Sequence, residues 1–388
     1  MTAVTTRPTI PAARYADRLS LAAGLAAERD LAALLMAVGP DLRYLTGYAA
    51  MPLERLTMLV VPAAGPARLV VPRLEAAAAR HCPAVAGGHL EIATWEETEA
   101  PHRLVAELVR RSAAKPDRIG VSDRLWASHL LRLQAELADA SFESATAVLG
   151  ELRMVKDPEE IELLRLAAHA ADRVVEQIAR GRLVGRTEAD VAREVRERLL
   201  AEGHELAEFA IVASGPNSAS PHHEASERVI AAGDPIVLDI GGTLEGYGSD
   251  ITRTLWVTGG DPARGPDPEF RRLFELVREA AAEATSAVRP GMPCERIDGV
   301  ARRIIEAGGF GPQFIHRLGH GIGLEGHEEP YLVSGNQEPL RLGAAFSVEP
   351  GIYVEGRYGS RIEDIVVCGP DGPIVLNEAP RDLYVVDG

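Results

Sequence analysis

Apolar and polar positions along this chain change rhythm near residue 150. In the first part, short apolar runs alternate with helical periodicities. Residues 12–28 place Leu19, Ala22, Ala23 and Ala26 on one side, the spacing of a helix. DLAALLMAV then reads as a buried strand, and DLRYLTGY as a loop with a tight glycine turn. Residues 57–62 and 67–72 are apolar strands on either side of AAGP, a hairpin signal. Residues 74–80 and 101–111 read as helices, and RIGVSD as a further short strand. Strands alternating with helices predict a sheet covered by helices, an α/β domain over residues 1–151. No catalytic constellation stands in it.

SFESATAVLGELRMV predicts a last strand and turn, and the boundary falls at 152–158. A long helix then begins, with Asp157 suited to cap it, Pro158 at its first position and Glu159 and Glu160 in its first turn. A second helix over 188–203 ends on glycine. From here the pattern repeats. Helices over 157–203 precede a long hairpin carrying Asp239 and Asp250, and helices over 268–308 precede one carrying Glu349 and Glu363. The repeat predicts a pseudo-symmetric α+β domain over 152–388, two helix-plus-hairpin halves whose hairpins face a common cleft.

Composition narrows the function classes. The chain has 388 residues, 46% apolar and 25% charged, an ordinary globular balance. A net charge of −16 disfavours nucleic acid and anionic membranes, which need a basic face. Three scattered cysteines predict no disulfide framework and fit a reducing cytoplasm. No apolar run is long enough to span a membrane, and the N-terminal residues lack a signal-peptide core, so the expectation is a cytoplasmic protein.

The candidate chemistry lies in the hairpins and in FIHRLGHGIGLEGHE, residues 314–328. Asp239 interrupts an apolar strand and Asp250 opens its return strand, so the two can face each other on one side of an antiparallel pair. A lone aspartate at such a place is more often a turn or capping residue, and Glu363 has Arg361 available as a surface partner. The same anomaly in a second hairpin weakens those readings. His316 and His320 are four apart, but the glycines between and after them predict an extended, tightly turned segment approached closely by other backbone. Four carboxylates with one imidazole balance two divalent cations, and oxygen-rich ligation favours manganese or another first-row ion, with cobalt and zinc as substitutes. The chemistry expected of such a centre is a metal-bridging water activated as hydroxide.

ASGPNSASPHH, VLDIGGTLEGYGSDITRT, RPG at 289–291, HRLGHGIGLEGHE, SVEPGIY and SRIEDIVV resemble, in order, the Xaa-Pro dipeptidase (prolidase) and aminopeptidase P family of pita-bread metallopeptidases. RYLTGY is similar to a piece of that family's creatinase-like N-terminal domain. The resemblance implies two metals held by Asp239, Asp250, His320, Glu349 and Glu363, with Asp250 and Glu363 bridging and Glu349 also moving a proton. It implies that His222 contacts substrate, that His327 binds the scissile carbonyl, that His316 lines the proline-side pocket and that Arg361 stands near the ligands. It implies short proline-containing peptides as substrates and a homodimer. His223 reads as a neighbour of His222. Gly326 and Tyr331 depart from the family, the latter standing where strict dipeptidases place a carboxylate-gripping arginine. Arg55 could supply that cation, although an exposed arginine without such a role is the simpler reading. Two other functions compete: a hydrolase or lyase of a small osmolyte-like molecule on the same fold, and a binding module without catalysis. The complete ligand set argues against the second.

Overall fold

The computed structural model describes residues 7–112 and 117–387. Residues 1–6 of the stretch read for an export signal lie outside the described residues. The chain divides into two compact units, Met1–Arg153 and Met154–Gly388.

The first unit carries a six-stranded sheet. Its strands are β1 (Ala33–Ala37), β2 (Met58–Pro62), β3 (Arg68–Pro72), β4 (Glu91–Trp95), β5 (Arg118–Val121) and β6 (Ser141–Ser144), in the order β4-β3-β2-β1-β5-β6. β1 is buried along its whole length, and β2 and β3 form the expected hairpin. Helix Ala12–Glu28 buries Leu19, Ala22 and Ala26 as its periodicity predicts. DLRYLTGY is not a loop. It holds the helix Pro40–Thr46, started by a proline and stopped by Gly47 at φ 74, where only a residue tolerant of the left-handed region fits well. Fewer than two turns leave no periodicity to read. SFESATAVLGELRMV likewise gives β6 and then a helix, Thr146–Met154, rather than a turn. Strand β4 and helix Ala127–Glu136 carried no clear signal, since β4 is an edge strand with little burial.

In the second unit, helix Pro158–Ala179 begins with a reciprocal cap. Asp157 Oδ1 accepts from the Glu160 amide at 3.2 Å, and Glu160 Oε2 accepts from the Asp157 amide at 3.0 Å. Helix Glu188–Ala201 follows, then β7 (Leu206–Ser214), β8 (Pro235–Leu244) and β9 (Tyr247–Val257), an antiparallel meander. Glu245 and Gly246 join β8 to β9 with φ of 52° and 82°, the two positive values that a tight hairpin turn demands.

Helices Pro268–Ser286 and Cys294–Ala307 open the second half. Strands β10 (Gly319–Gly321), β11 (Glu328–Leu332), β12 (Ala345–Val348), β13 (Gly351–Val354), β14 (Tyr358–Arg361), β15 (Asp364–Cys368) and β16 (Pro373–Val375) follow. The closing strand β17 (Tyr384–Val386) returns parallel to β9. The second hairpin is broken midway: β12 pairs with β15, and β13 with β14. Glu349 and Pro350 sit at the break on one arm, Ile362 and Glu363 on the other. Each half has its own core, one around Val174, Val191, Leu238 and Ile251, the other around Phe270, Val277, Ile297 and Phe346.

Two features join the hairpins. Thr252 of β9 bridges Glu363, the Glu363 amide donating to its carbonyl at 3.1 Å. Next to it Arg253, 1% exposed, donates to Asp364 Oδ1 at 2.7 Å and to the carbonyls of Glu363, Ala379 and Pro380 at 2.6 to 2.8 Å. Among the described residues no helix is long and apolar enough to cross a membrane.

The N-terminal unit also buries a histidine pair, His102 Nε2 lying 3.0 Å from His129 Nδ1 between two helices. Burial, then the neighbouring charges of His129 and Arg132, push His102 down to about 4, and burial lowers His129 as well. The unfolded chain therefore takes up protons below about pH 6.5 that the folded pair refuses, and stability falls between there and about pH 4. Urea unfolding followed by tryptophan fluorescence should show the wild type losing roughly 2 kcal/mol more than a His102→Leu/His129→Leu variant between pH 7 and pH 5. Equal losses would mean the pair is not acid-sensitive.

Candidate metal centre and active site

Asp239 and Asp250 reach one face of the first hairpin through register. Asp239 lies opposite Thr252 and Asp250 opposite Gly241, so the carboxylates are diagonal rather than directly opposed. Residues 239 and 241 share a face because strand side chains alternate.

His320 comes from β10, which is squeezed between β11 and β12. A Cβ on Gly319 would stand 1.9 Å from the Ser347 carbonyl oxygen, and one on Gly321 would stand 2.2 Å from that of Glu329. The flanking glycines are thus required by backbone approach, as the extended reading of this segment expects. Glu349 and Glu363 enter at the break of the second hairpin, where leaving the ladder turns both toward the cleft.

These five side chains meet. Asp250, His320 and Glu363 each offer a ligand atom within 4.8 Å of the others, all three buried. His320 Nε2 lies 3.2 Å from Glu349 Oε1 and 3.8 Å from Asp250 Oδ2, and its Nδ1 faces the Gly321 carbonyl at 3.1 Å. That carbonyl keeps Nδ1 protonated and leaves Nε2 as the ligand atom. Asp239 is held by Arg361 through Oδ2, while its buried Oδ1 has no hydrogen-bond partner among the described residues.

Electrostatics divides the four carboxylates into two kinds. Burial opposes ionisation of Glu349, but the hydrogen bond and charge of His320 prevail and hold it at about 2. Asp239 is raised by burial and only partly relieved by Arg361. Asp250 and Glu363 are pushed well above the carboxylate range, first by burial and then by neighbouring carboxylates. Burial works against the charge of His320, but the Glu349 interaction outweighs it and His320 is raised. An orphaned acceptor, two carboxylates without a committed cation and an imidazole nitrogen facing both fit divalent metal ions held by these residues.

The ligands open onto a cavity of about 450 Å³, the size of a small-ligand site. His222, His316, His327 and Arg361 line it with them. His222 is exposed there. His316 has both nitrogens engaged: Nδ1 donates to the Arg317 carbonyl at 2.7 Å and Nε2 accepts from the Tyr353 hydroxyl at 3.0 Å. What it presents to the cavity is ring carbon. His327 lies 3.8 Å, centroid to centroid, from His320. Partial burial and then the positive neighbours His320 and Arg317 push His327 down to about 4, so it is neutral at pH 7. Its Nδ1 accepts from Arg317 Nη2 at 3.2 Å, which leaves Nε2–H as a donor.

Arg361, expected beside the ligands, is 2% exposed, and its donors go to Asp239, Tyr353, Thr252 and the Pro221 carbonyl. Arg55 belongs to the N-terminal unit, where Nε meets Glu97 at 2.6 Å and Nη1 meets Glu54 at 2.9 Å.

Sequence reasoning missed three residues here. Thr252 donates to Glu363 Oε2 at 2.7 Å, and Tyr353 ties Arg361 to His316. Glu188, wholly buried, accepts from Ser214, Asn217, Ser226 and His223, pinning the segment that carries His222. Burial works against its charge, but these donors hold it at about 2. A glutamate opening a helix gives no sign of this, although the adjacent His222-His223 pair was a clue.

The sequence model of metallopeptidase family M24 matches residues 162–370, and that of the creatinase/prolidase N-terminal domain matches residues 18–155. The chain is 44% identical over 373 residues to a probable dipeptidase PepE of Mycobacterium tuberculosis, covering 96% of each. It is 34% identical to an Xaa-Pro dipeptidase of Lactobacillus helveticus, covering 88% of this chain and 92% of that one. The crystal structure of dipeptidase PepE from Mycobacterium ulcerans superposes with a TM-score of 0.89 at 44% identity, covering 97% of this chain and 99% of that one.

Replacing Asp250 by Asn removes one crowded carboxyl and one ligand. Asp250→Asn should stabilise metal-stripped protein by roughly 1–2 kcal/mol, the cost of burying a carboxyl that its surroundings force to take up a proton, and abolish the rise in melting temperature that manganese gives the wild type. A variant that manganese stabilises as strongly as the wild type would remove Asp250 from the metal centre.

Proposed function

The chain belongs to metallopeptidase family M24, a hydrolase with a creatinase-type N-terminal domain before a pita-bread domain, and from that premise we propose that it hydrolyses Xaa-Pro bonds at the N-terminus of dipeptides or short peptides. The observation that supports this most is the convergence of Asp250, His320 and Glu363 beside an orphaned Asp239 oxygen, at the wall of a cavity of peptide size. Asp239, Asp250, His320, Glu349 and Glu363 would hold two divalent ions, manganese on the chemistry of an oxygen-rich set with one imidazole. When bound, such ions supply a nucleophilic water at neutral pH and Lewis-acid polarisation of the scissile carbonyl.

The protein's own groups do the rest. Neutral His327 offers its Nε2–H to the carbonyl oxygen as charge develops there, a donor fixed in place by Arg317 on the other ring nitrogen. Glu349, ionised and partly open to the cavity, would take the proton from the attacking water and return it to the leaving proline nitrogen, the role the family resemblance implies for it. His222, exposed at the cavity wall, contacts the substrate's amino side. His316 presents a carbon edge, packed at a right angle on Phe314, that suits the apolar proline ring. Arg361 keeps Asp239 oriented. Arg55, with its charge answered by Glu54 and Glu97, would have to leave both to meet a substrate. A homodimer working in the cytoplasm completes the reading; three buried free cysteines agree with a reducing compartment.

Proline release from Ala-Pro, compared with cleavage of Ala-Pro-Ala by manganese-loaded protein, tests this. Cleavage of the dipeptide alone is the result expected of a prolidase, and cleavage of both of an aminopeptidase P. If metal binds and neither peptide is cut, the peptidase reading fails in favour of a small non-peptide substrate.

A further inference from the structure

Two guanidinium groups line the catalytic cavity, and they are in opposite states. Arg361 is buried with its donors committed to Asp239 and its neighbours. Arg317 is half-exposed, and among the described residues no carboxylate lies within ion-pair distance of it. Its guanidinium carbon stands 4.3 Å from the Tyr331 ring centroid, and Nη2 makes the 3.2 Å contact to His327. The aromatic face holds the cation in place without neutralising it. One of five N–H donors meets His327, and the planar fork otherwise finds no oxygen acceptor among the described residues.

A fixed, unneutralised fork at the wall of an active site is suited to a carboxylate. Its position says which one. Arg317 touches His327, the donor assigned above to the scissile carbonyl, so the cation lies one side chain from the reacting bond. In an Xaa-Pro dipeptide the terminal carboxylate is carried on the carbon next to the scissile nitrogen, on the leaving side of that bond. A longer peptide has a neutral amide there.

Resting on the Xaa-Pro reading, we propose that Arg317, held on Tyr331, binds the free C-terminal carboxylate of a dipeptide substrate and thereby sets dipeptide preference. Tyr331 is then the platform for the cation, and the charge comes from position 317.

The test compares Ala-Pro with Ala-Pro amide, which lacks the carboxylate, on wild-type protein and on the variants Arg317→Met and Arg317→Lys with metal content matched. Arg317→Met should raise KM for Ala-Pro about 10- to 100-fold, the loss expected of a hydrogen bond to a charged group. It should leave KM for the amide within about threefold and bring the acid-to-amide ratio of kcat/KM near one, since an uncharged carbonyl gains little from the cation. Arg317→Lys should recover part of the acid preference, keeping charge but not the fork. Equal losses on acid and amide would overturn the inference and make Arg317 a residue that only orients His327. A wild type that cleaves neither compound would remove the Xaa-Pro reading, and the inference with it.

Discussion

Four carboxylates gathered around one imidazole, all but Glu349 buried, set the terms for the C-terminal unit. Without metal they cannot all be charged: Glu349 is stabilised by His320 and Asp239 is held by Arg361, while Asp250 and Glu363 are driven toward the protonated form. The two lacking a committed cation are those the family resemblance makes bridging ligands. A buried charge left unpaired costs several kcal/mol, so a scaffold that keeps these groups together must draw its stability from elsewhere.

It does so through two independent apolar cores and a few well-satisfied polar links. Arg253 binds Asp364, the adjacent Glu363 carbonyl and the carbonyls of Ala379 and Pro380, directly behind the face that carries the ligands. Lys156 and Glu328, both buried, pair at 2.8 Å and anchor the chain immediately after His327. Glu188 performs the same service for the segment bearing His222. Thus Glu363, His327 and His222 each have, one residue along the chain, a buried polar contact that fixes the backbone.

Much of this was legible in the sequence because burying an aspartate within an apolar strand or crowding glycines around a histidine leaves a trace. Asp239, Asp250, His320, Glu349 and Glu363 were all readable, and the structure brings them together. The diagonal placement of Asp239 and Asp250 was not, because it depends on a register that the turn at Glu245-Gly246 sets. Nor was the break in the second hairpin, although Pro350 next to Glu349 hinted at it. Glu188, Thr252 and Tyr353 act through partners far along the chain, and no local pattern records such contacts. In the N-terminal unit the errors were short elements, the helices Pro40–Thr46 and Thr146–Met154, too brief for a periodic signal. Arg317 is the middle case: visible inside the histidine motif, but without meaning until Tyr331 is seen beneath it.

We propose that this cluster holds two divalent ions. Anomalous diffraction from a crystal soaked in manganese tests it most directly. Two peaks, both within bonding distance of Asp250 and Glu363 and flanked by Asp239 on one side and His320 with Glu349 on the other, are the expected result. A single peak, or two that leave Asp250 and Glu363 unshared, would contradict it.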